Sequence, residues 1–359
     1  MKAAGVQIFL GNDGLRWEQH PIPSLSAGEV LVEIDLATIC GSDLHTLEGR
    51  RPVTTPVILG HEAVGRVVEL GPAKDGKKEG GLNHGDRVSW SIADSCGDCR
   101  FCGDYGLPEK CDHLFKYGHA PLGDGSGLNG CYSTHILLRS GTHIVKIADH
   151  LSDALVAPIN CALATVVNAI DQLPQIGRSV VVQGAGLLGL YACAALRDRG
   201  FDQVFCVDVE PARLALVPRF GAIPIDGTGA DDDVAVQIEK EFPQGVDAVI
   251  EVAGDPQLVP TGVRLLRPGG HYVFVGMVHP QSALEITGEQ IVRKCLTLRG
   301  VHNYAPRHLD QAVAFLERSY ERYPYEELVS QPLPLERLDD ALELARSRRF
   351  PRVAVCPRI

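Results

Sequence analysis

Apolar and polar positions follow one pattern in the first part of the chain and another in its middle. Up to about residue 150, short runs such as 29–34 and 63–70 read as strands between Gly-rich turns, and no long helical period is evident. Apolar residues at alternate positions indicate strands with one buried face. The first part is therefore expected to be a small β-rich barrel or sandwich with functional loops.

From about residue 179 the chain alternates apolar runs with amphipathic segments. The runs 180–182, 204–207, 248–250 and 272–275 are nearly continuously apolar. Such strands, separated by helices, indicate a parallel sheet that is covered on both faces. The last portion, roughly 302–359, returns to mixed helix and strand. We expect an α/β protein with two domains, which the length of 359 residues also favours.

Composition narrows the classes of function. The formal net charge of −11, without any long basic block, argues against nucleic acids and anionic membranes as partners. The first ten residues do not resemble a signal peptide, and no apolar stretch long enough to span a bilayer is evident, so a cytoplasmic protein is expected. Eleven cysteines in such a chain point to metal ligands or reactive thiols before disulfides.

Four of the cysteines form one cluster, namely Cys96, Cys99, Cys102 and Cys111. Two C-x-x-C turns direct their sulfurs to a common centre, and a fourth thiolate from a loop completes a tetrahedron. We predict a closed structural zinc site that holds a loop and performs no chemistry. An iron–sulfur cluster and free thiols remain alternatives, although the Cys-Pro of the bacterial ferredoxin run is missing.

A second concentration of metal-binding side chains lies in Cys40–His45 and in Gly60-His61-Glu62. A thiolate, an imidazole and carboxylates suit Zn²⁺, and ligands on two segments leave room for a third ligand and for an open position. These residues suggest a catalytic zinc. Taken alone, they are equally consistent with Cys40 as a small core residue and His61 as a buried core histidine.

Segment 179–192 reads as a strand, a G-x-G-x-x-G turn and a helix. Gly184 permits the tight turn, Gly186 lets the backbone approach a pyrophosphate, and Gly189 lets the helix pack on the strand. The helix N-terminus, at Leu187 and Leu188, favours an anion. The segment therefore predicts a dinucleotide-binding site, and a Gly-rich turn without a ligand is the alternative.

Asp208, at the end of the next apolar strand, supports this prediction and indicates the cofactor. A carboxylate at that place accepts hydrogen bonds from the ribose hydroxyls and repels the extra phosphate of NADP, so NAD is expected. Arg213 could instead reach a 2′-phosphate, which keeps NADP open.

These motifs together resemble the zinc-dependent medium-chain alcohol dehydrogenases across nearly the full chain. The motif Ala-Pro-Ile-Asn-Cys-Ala at 157–162 lies between the four-cysteine cluster and the Rossmann segment, as it does in that family. The resemblance implies a GroES-like β-rich catalytic domain, formed by 1–161 and 302–359, with a structural zinc lobe at about 94–113. It also implies a doubly wound Rossmann coenzyme domain at 162–301, and assembly into a homodimer or homotetramer.

The resemblance also assigns the ligands of the catalytic metal. Cys161 matches the third protein ligand of the catalytic zinc, beside Cys40 and His61. Glu62 matches the carboxylate that can approach the metal when its fourth ligand exchanges. With a structural ion in the four-cysteine lobe, the resemblance implies two zinc ions in each chain.

The activity implied is hydride transfer between a nicotinamide cofactor and a secondary or cyclic alcohol or its ketone. Asp43 matches the acid that orients the histidine ligand, and Ser42 with His45 matches the relay that carries the alcohol proton away. Ser42 could instead cap a local turn, and His45 could be a surface imidazole. A zinc-independent reductase of the same superfamily and a non-catalytic dinucleotide-binding protein are the alternative functions.

A finer resemblance, carried by 107–119 and 160–165, is to two subgroups of these dehydrogenases. One is associated with phosphonate catabolism, and the other acts on cyclic terpene alcohols such as 5-exo-hydroxycamphor. A phosphonate needs fixed cations and a terpene alcohol needs an apolar cavity. The candidate cations are Arg50, Arg51, Lys116 and His119, and the candidate apolar residues are Trp90, Ile92 and Leu114.

Overall fold

The computed structural model describes residues 2–73, 81–125, 127–174, 177–229 and 231–358. The chain forms two compact units. The first comprises Met1–Cys161, Ala305–Tyr320 and Tyr325–Ile359, and the second comprises Ala162–Tyr304 and Glu321–Pro324.

Strands form the sheets of the first unit and the centre of the second. In chain order they are β1 (Ala3–Phe9), β2 (Leu15–Pro21), β3 (Val30–Ile39), β4 (Val57–Ile58), β5 (Glu62–Leu70), β6 (Arg87–Trp90), β7 (Ala93–Asp94), β8 (Phe115–Lys116), β9 (His135–Leu138), β10 (Ile144–Lys146), β11 (Ser179–Gln183), β12 (Gln203–Asp208), β13 (Ile223–Asp226), β14 (Val246–Glu251), β15 (Leu266–Phe274), β16 (Thr297–Gly300), β17 (Leu333–Pro334) and β18 (Val353–Cys356).

The α-helices are short in the first part of the chain and longer in the second. They are α1 (Gly41–Leu47), α2 (Arg100–Gly103), α3 (Asp153–Val156), α4 (Ala164–Asp171), α5 (Leu187–Asp198), α6 (Pro211–Leu214), α7 (Asp231–Glu239), α8 (Leu258–Leu265), α9 (Gly288–Arg293), α10 (Pro306–Ser319) and α11 (Leu338–Arg346).

The first unit is β-rich, as its sequence pattern predicts. Its largest sheet has the order β10-β6-β5-β3-β18-β17, with β9 also paired to β3, and a smaller sheet has the order β2-β1-β4. Strand β3 is buried along almost its whole length, because β9 and β18 pair with it and α11 packs on it. Most residues of β3 are therefore apolar, and Glu33, Asp35 and Thr38 are the exceptions.

The register of this sheet brings distant parts of the chain together. Thr38 near the end of β3 pairs with Glu62 at the start of β5, and Ile39 pairs with Val353 at the start of β18. The residues just outside these pairs, Cys40 and Arg352, are consequently placed beside Glu62. Three segments separated by up to 312 positions meet at one end of the sheet.

The second unit contains a six-stranded sheet in the order β13-β12-β11-β14-β15-β16, and every neighbouring pair is parallel. The strand order turns back at β11, which is the first strand of this sheet in the chain. Helices connect most successive strands, as right-handed crossovers between parallel strands require. The expected doubly wound α/β sheet is confirmed.

One helical stretch corrects the expectation that no segment could span a bilayer. Among the described residues, Asp153–Asp171 is long and apolar enough to do so by length and composition. In this fold, however, 78% of its apolar window is buried inside the protein. Its apolar side chains are thus used by the protein core, as those of a core helix are.

Candidate active site

The four cysteines of the expected zinc lobe converge. The Sγ atoms of Cys96, Cys99, Cys102 and Cys111 all lie within 4.8 Å of one another, and none is in a disulfide. Three of the Sγ–Sγ distances are 3.4 Å (Cys99–Cys102), 3.9 Å (Cys99–Cys111) and 3.4 Å (Cys96–Cys111). Four sulfurs at about 2.3 Å from a tetrahedral zinc are about 3.8 Å apart. The cluster therefore has the dimensions of a closed zinc site.

Local turns orient these thiols. Cys99 directly precedes α2, and its backbone N–H donates to Sγ of Cys96 at 3.3 Å. The N–H of His113 donates to Sγ of Cys111 at the same distance. Backbone hydrogen bonds, the largest from Asp112, lower the pKa of Cys99 to about 6, which favours the thiolate that a metal needs. The spacing of the four cysteines in the sequence thus determines most of the geometry of this lobe.

A second group of ligand atoms lies at the end of the large sheet. One atom each from Cys40, His61, Glu62 and Cys161 falls within 4.8 Å of the others. Cys40 follows β3, His61 directly precedes β5, Glu62 is the first residue of β5, and Cys161 lies in a π-helical turn, Ile159–Leu163. Insertions of this kind in a helix are frequent at functional sites. Two thiols and an imidazole form a donor set that suits Zn²⁺.

The two thiols and the imidazole perturb one another. The Cys161 thiol lowers the pKa of Cys40 far below its ordinary value, helped by the charge of Arg352, and the same contact raises the pKa of Cys161. Burial alone would lower the pKa of His61, but Asp43 and Cys40 raise it to about 10. The group therefore holds protons that a divalent cation would displace when it binds.

Asp43 and Ser42 both face His61, from different sides of the ring. Oδ1 of Asp43 lies 3.3 Å from Nδ1 of His61, and both side chains are almost fully buried. The Ser42 hydroxyl lies 3.4 Å from Nε2 of the same ring. Nδ1 of His61 thus faces a buried carboxylate, and Nε2 lies on the side of the Ser42 hydroxyl.

His45 is the fifth residue of the chain's first helix, α1, and is half-buried. Its backbone carbonyl accepts hydrogen bonds from the N–H groups of Arg50 and Arg51 at 2.9 and 3.0 Å. These bonds fold the segment after α1 back onto the helix.

Glu62 is held by the protein on both of its oxygens. Arg352 donates to Oε2 at 2.8 Å and to Oε1 at 3.0 Å, and the Thr38 hydroxyl donates to Oε2 at 2.7 Å. Burial raises the pKa of Glu62 to about 7, although Arg352 opposes that shift. Arg352 also reaches Sγ of Cys40 at 3.6 Å. One guanidinium therefore links the carboxylate to a thiol of the same group.

The dinucleotide segment of the second unit has the backbone that its glycines predict. Gly184 has φ +109°, and a Cβ there would lie 3.1 Å from Ala253. A Cβ on Gly189 would lie 1.8 Å from the carbonyl oxygen of Gly184, so α5 packs closely on the turn. Gly186 directly precedes α5, whose first residue is Leu187, and Leu188, which follows, is half-buried.

Asp208 ends β12 beside this turn. Its Oδ2 accepts a hydrogen bond from the Ala185 N–H at 2.7 Å, and its Oδ1 accepts one from the Glu210 N–H at 2.9 Å. Arg213 lies 3.6 Å from Oδ2. The carboxylate is therefore fixed against the Gly-rich turn, and Arg213 is close enough to offset part of its charge.

Comparison with known proteins agrees with these features. Residues 26–149 match the family model described as alcohol dehydrogenase GroES-like domain, and residues 188–318 match the one described as zinc-binding dehydrogenase. The chain belongs to the zinc-dependent alcohol dehydrogenase family. Its members transfer hydride between an alcohol or ketone and a nicotinamide cofactor, so this chain is an oxidoreductase of that class.

Individual relatives align with this dehydrogenase over most or all of its length. The chain is 29% identical to 5-exo-hydroxycamphor dehydrogenase of Pseudomonas putida, over 97% of each chain. It is 31% identical to a probable D-xylulose reductase A of Neosartorya fischeri, over 86% of this chain and 85% of that one. An alcohol dehydrogenase from Thermotoga maritima has a solved structure that is 31% identical, with a TM-score of 0.93 over 100% of both chains.

Three residues around the ligand group of this dehydrogenase were not anticipated from its sequence. Arg352 arrives from the C-terminal segment, and Tyr132 donates its hydroxyl to Asp43 at 2.9 Å. Asn160 donates to the backbone carbonyls of His61 and Trp90, both at 3.0 Å, and so fixes the segment that carries His61. Asn160 alone had a signal, because it directly precedes Cys161 in a recognised motif.

Proposed function

We propose that this dehydrogenase uses NAD to oxidise a secondary or cyclic alcohol, or to reduce the matching ketone, and that each chain carries two zinc ions. The observation that carries the proposal is the convergence of Cys40, His61 and Cys161 from three separate segments. A structural core rarely collects two thiols, an imidazole and a buried carboxylate at one point, since each is costly to bury without a partner.

In this proposal Cys40, His61 and Cys161 hold the catalytic zinc. Bound there, zinc would act as a Lewis acid that lowers the pKa of the alcohol hydroxyl. Asp43 orients His61 through Nδ1, and Arg352 keeps Glu62 beside the ligands and available when the fourth ligand exchanges. Cys96, Cys99, Cys102 and Cys111 hold the structural zinc.

Ser42 and His45 are proposed to carry the alcohol proton away from the site. The position of the Ser42 hydroxyl, 3.4 Å from Nε2 of His61, supports the first step of that route. His45 follows Ser42 by three positions in α1. Residues three or four positions apart lie on the same side of a helix. We test the route with Ser42→Ala and His45→Gln, which should lower kcat and alter its pH profile while zinc content is unchanged.

Asp208 supports NAD as the cofactor, since its carboxylate would repel a 2′-phosphate. The backbone of Gly184, Gly186 and Gly189, with the helix start at Leu187 and Leu188, would receive the pyrophosphate. Arg213 is the residue that could favour NADP instead. Comparing kcat/KM for NAD and NADP decides between them, and a preference for NADP would refute the role given to Asp208.

For the substrate, the burial of Trp90 and the surroundings of Lys116 support a polar pocket over an apolar one. Among the candidate apolar residues, Trp90 belongs to the hydrophobic core and has no exposed surface. Among the candidate cations, Arg50 is exposed and pairs with Glu48. Lys116 interacts electrostatically with Cys161 and Cys40, and burial together with Arg51 lowers its pKa to about 8. We therefore propose that the alcohol carries an anionic or strongly polar group. A matched panel of charged and neutral alcohols tests this, and higher kcat/KM on neutral cyclic alcohols would contradict it.

Metal analysis tests the core of the proposal. Wild-type protein should contain two zinc ions in each chain, and Cys161→Ser should lose one of them without unfolding. Cys193→Ser is the matched control, because Cys193 is a buried cysteine of the second unit outside both ligand groups and should leave both ions in place. A single zinc in the wild type, together with no turnover of nicotinamide on a broad alcohol panel, would refute the proposal.

Assembly and location are also proposed from the family. We expect a homodimer or homotetramer in the cytoplasm, with a small-molecule substrate and without nucleic-acid or membrane partners. The net charge of −11 supports the absence of anionic partners. Light scattering coupled to size exclusion gives the oligomeric state directly, and a monomer would contradict the expectation.

A further inference from the structure

Tyr132 is a fully buried side chain that joins the ligand group from outside every recognised motif. Its hydroxyl donates to Oδ2 of Asp43 at 2.9 Å. The same oxygen accepts the backbone N–H of Cys40, also at 2.9 Å. The other oxygen of Asp43 faces Nδ1 of His61 at 3.3 Å. Tyr132 is thus one hydrogen bond away from the carboxylate that orients His61.

The backbone of Tyr132 is tied to the segment that carries His61. The N–H of Tyr132 donates to the carbonyl of Leu59 at 3.0 Å, and the N–H of Cys131 donates to the carbonyl of Gly60 at 2.8 Å. A Cβ on Gly60 would lie 2.6 Å from the Tyr132 ring, so the ring occupies the space beside that glycine. Ring and backbone together leave the hydroxyl little freedom to move away from Asp43.

A buried carboxylate needs hydrogen-bond donors, and Asp43 has no exposed surface. Besides the facing imidazole, the donors to its oxygens are the Cys40 N–H and the Tyr132 hydroxyl. Burial and the charge of Asp43 raise the pKa of Tyr132 well above its ordinary value, so the phenol keeps its proton and donates. Removal of either donor would leave the carboxylate freer to rotate away from His61.

We propose that Tyr132 is a positioning residue of the catalytic metal centre, whose hydroxyl fixes Asp43 so that His61 keeps Nε2 directed at the metal. The inference rests on the proposed role of His61 as a zinc ligand. It assigns to Tyr132 an effect on metal affinity, transmitted through Asp43, in addition to its packing in the core.

Tyr132→Phe separates the two roles, because it keeps the ring and removes only the hydroxyl. Partners of this kind behind a metal ligand change affinity by about 10- to 100-fold. Asp43 would keep its hydrogen bond from the Cys40 N–H, so we expect the lower end of this range. The affinity for the zinc ion that is lost in Cys161→Ser should fall about tenfold. Chelator competition measures the affinity, and the visible spectrum of the cobalt-substituted protein should shift as the ligand geometry relaxes.

Tyr272→Phe is the matched control in the second unit. Tyr272 is also fully buried, and its hydroxyl donates to Oε1 of Gln183 at 2.6 Å. Both variants lose one buried hydrogen bond and should lose similar stability, but Tyr272→Phe should leave zinc affinity unchanged. Equal affinity in Tyr132→Phe and wild type, within twofold, would overturn the inference, and so would an equal loss in the control.

A double-mutant comparison with Asp43→Asn tests the route through Asp43. If Tyr132 acts through that carboxylate, Tyr132→Phe should weaken zinc binding in the wild type and add almost nothing in the Asp43→Asn background. Additive losses would overturn the inference. If Cys161→Ser removes no zinc at all, the proposed function fails, whereas loss of zinc in Cys161→Ser with unchanged affinity in Tyr132→Phe refutes only the role of Tyr132.

Discussion

Gly118→Ala should destabilise the first unit at the point where the segment of His61 meets the segment after β8. Gly118 has φ +72°, and a Cβ there would lie 2.3 Å from the carbonyl oxygen of Gly60. Gly60 directly precedes His61, and the Gly118 N–H donates to the carbonyl of Asn129 at 2.7 Å. The two backbones can approach this closely only without a side chain at 118.

Two costs add in this variant. A non-glycine residue in the left-handed region costs about 1–2 kcal/mol, and overpacking of a buried site adds about 1–3 kcal/mol. The clash is with a backbone oxygen, so rotation of a side chain cannot relieve it. We expect the free energy of unfolding to fall by about 2–5 kcal/mol. The displaced backbone of Gly60 should also weaken zinc binding at His61.

Gly49→Ala isolates the first cost. Gly49 has the same φ of +72°, but a Cβ there would meet no atom within 4 Å. We expect it to lose about 1–2 kcal/mol and to keep wild-type zinc affinity. Urea unfolding of the zinc-loaded proteins, followed by tryptophan fluorescence, gives the free energy of unfolding of each variant. Equal losses of stability in the two variants would show that the Gly60 contact is not the constraint.

Three further predictions concern other parts of the chain. Asp208→Asn should raise kcat/KM for NADP relative to NAD by about tenfold, since it removes the repelling charge beside Arg213, and an unchanged ratio would contradict that account. Cys111→Ser should remove the structural zinc alone and make segment 94–113 sensitive to protease while the second zinc stays bound. Burial, together with the charge of Asp153, raises the pKa of Asp35, so the stability contributed by its protonated form is complete below about pH 3.8 and is lost as the pH rises through the folded pKa. Asp35→Asn should therefore gain stability relative to wild type as the pH rises above 4, and a constant difference between pH 3 and 8 would refute this.

The sequence was most informative where a few neighbouring residues determine the geometry. The C-x-x-C turns between Cys96 and Cys102 predicted their own convergence, because each turn needs only local backbone. The glycines of the dinucleotide turn predicted its tight fold for the same reason. The parallel sheet followed from its continuous apolar strands. The apolar segment 153–171 was misjudged, because burial in a core and burial in a membrane select the same side chains.

Contacts between distant segments could not be predicted in the same way. Arg352 and Glu62 are separated by 290 positions, and Tyr132 and Asp43 by 89. The sequence around one residue of each pair does not indicate its partner. Arg352 reaches Glu62 only through the register of β3 with β5 and β18.

Both of these contacts nevertheless follow one physical rule. Glu62 and Asp43 are carboxylates that the motifs themselves place next to the proposed metal ligands, and both are fully buried. A buried carboxylate is unfavourable unless donors surround it. The motifs therefore imply that each carboxylate has a donor elsewhere in the chain, and the fold identifies those donors as Arg352 and Tyr132. A guanidinium neutralises the charge of Glu62, whereas a phenol leaves the charge of Asp43 available to His61. That difference fits the proposed roles, in which Asp43 orients His61 and Glu62 approaches the metal only when its fourth ligand exchanges.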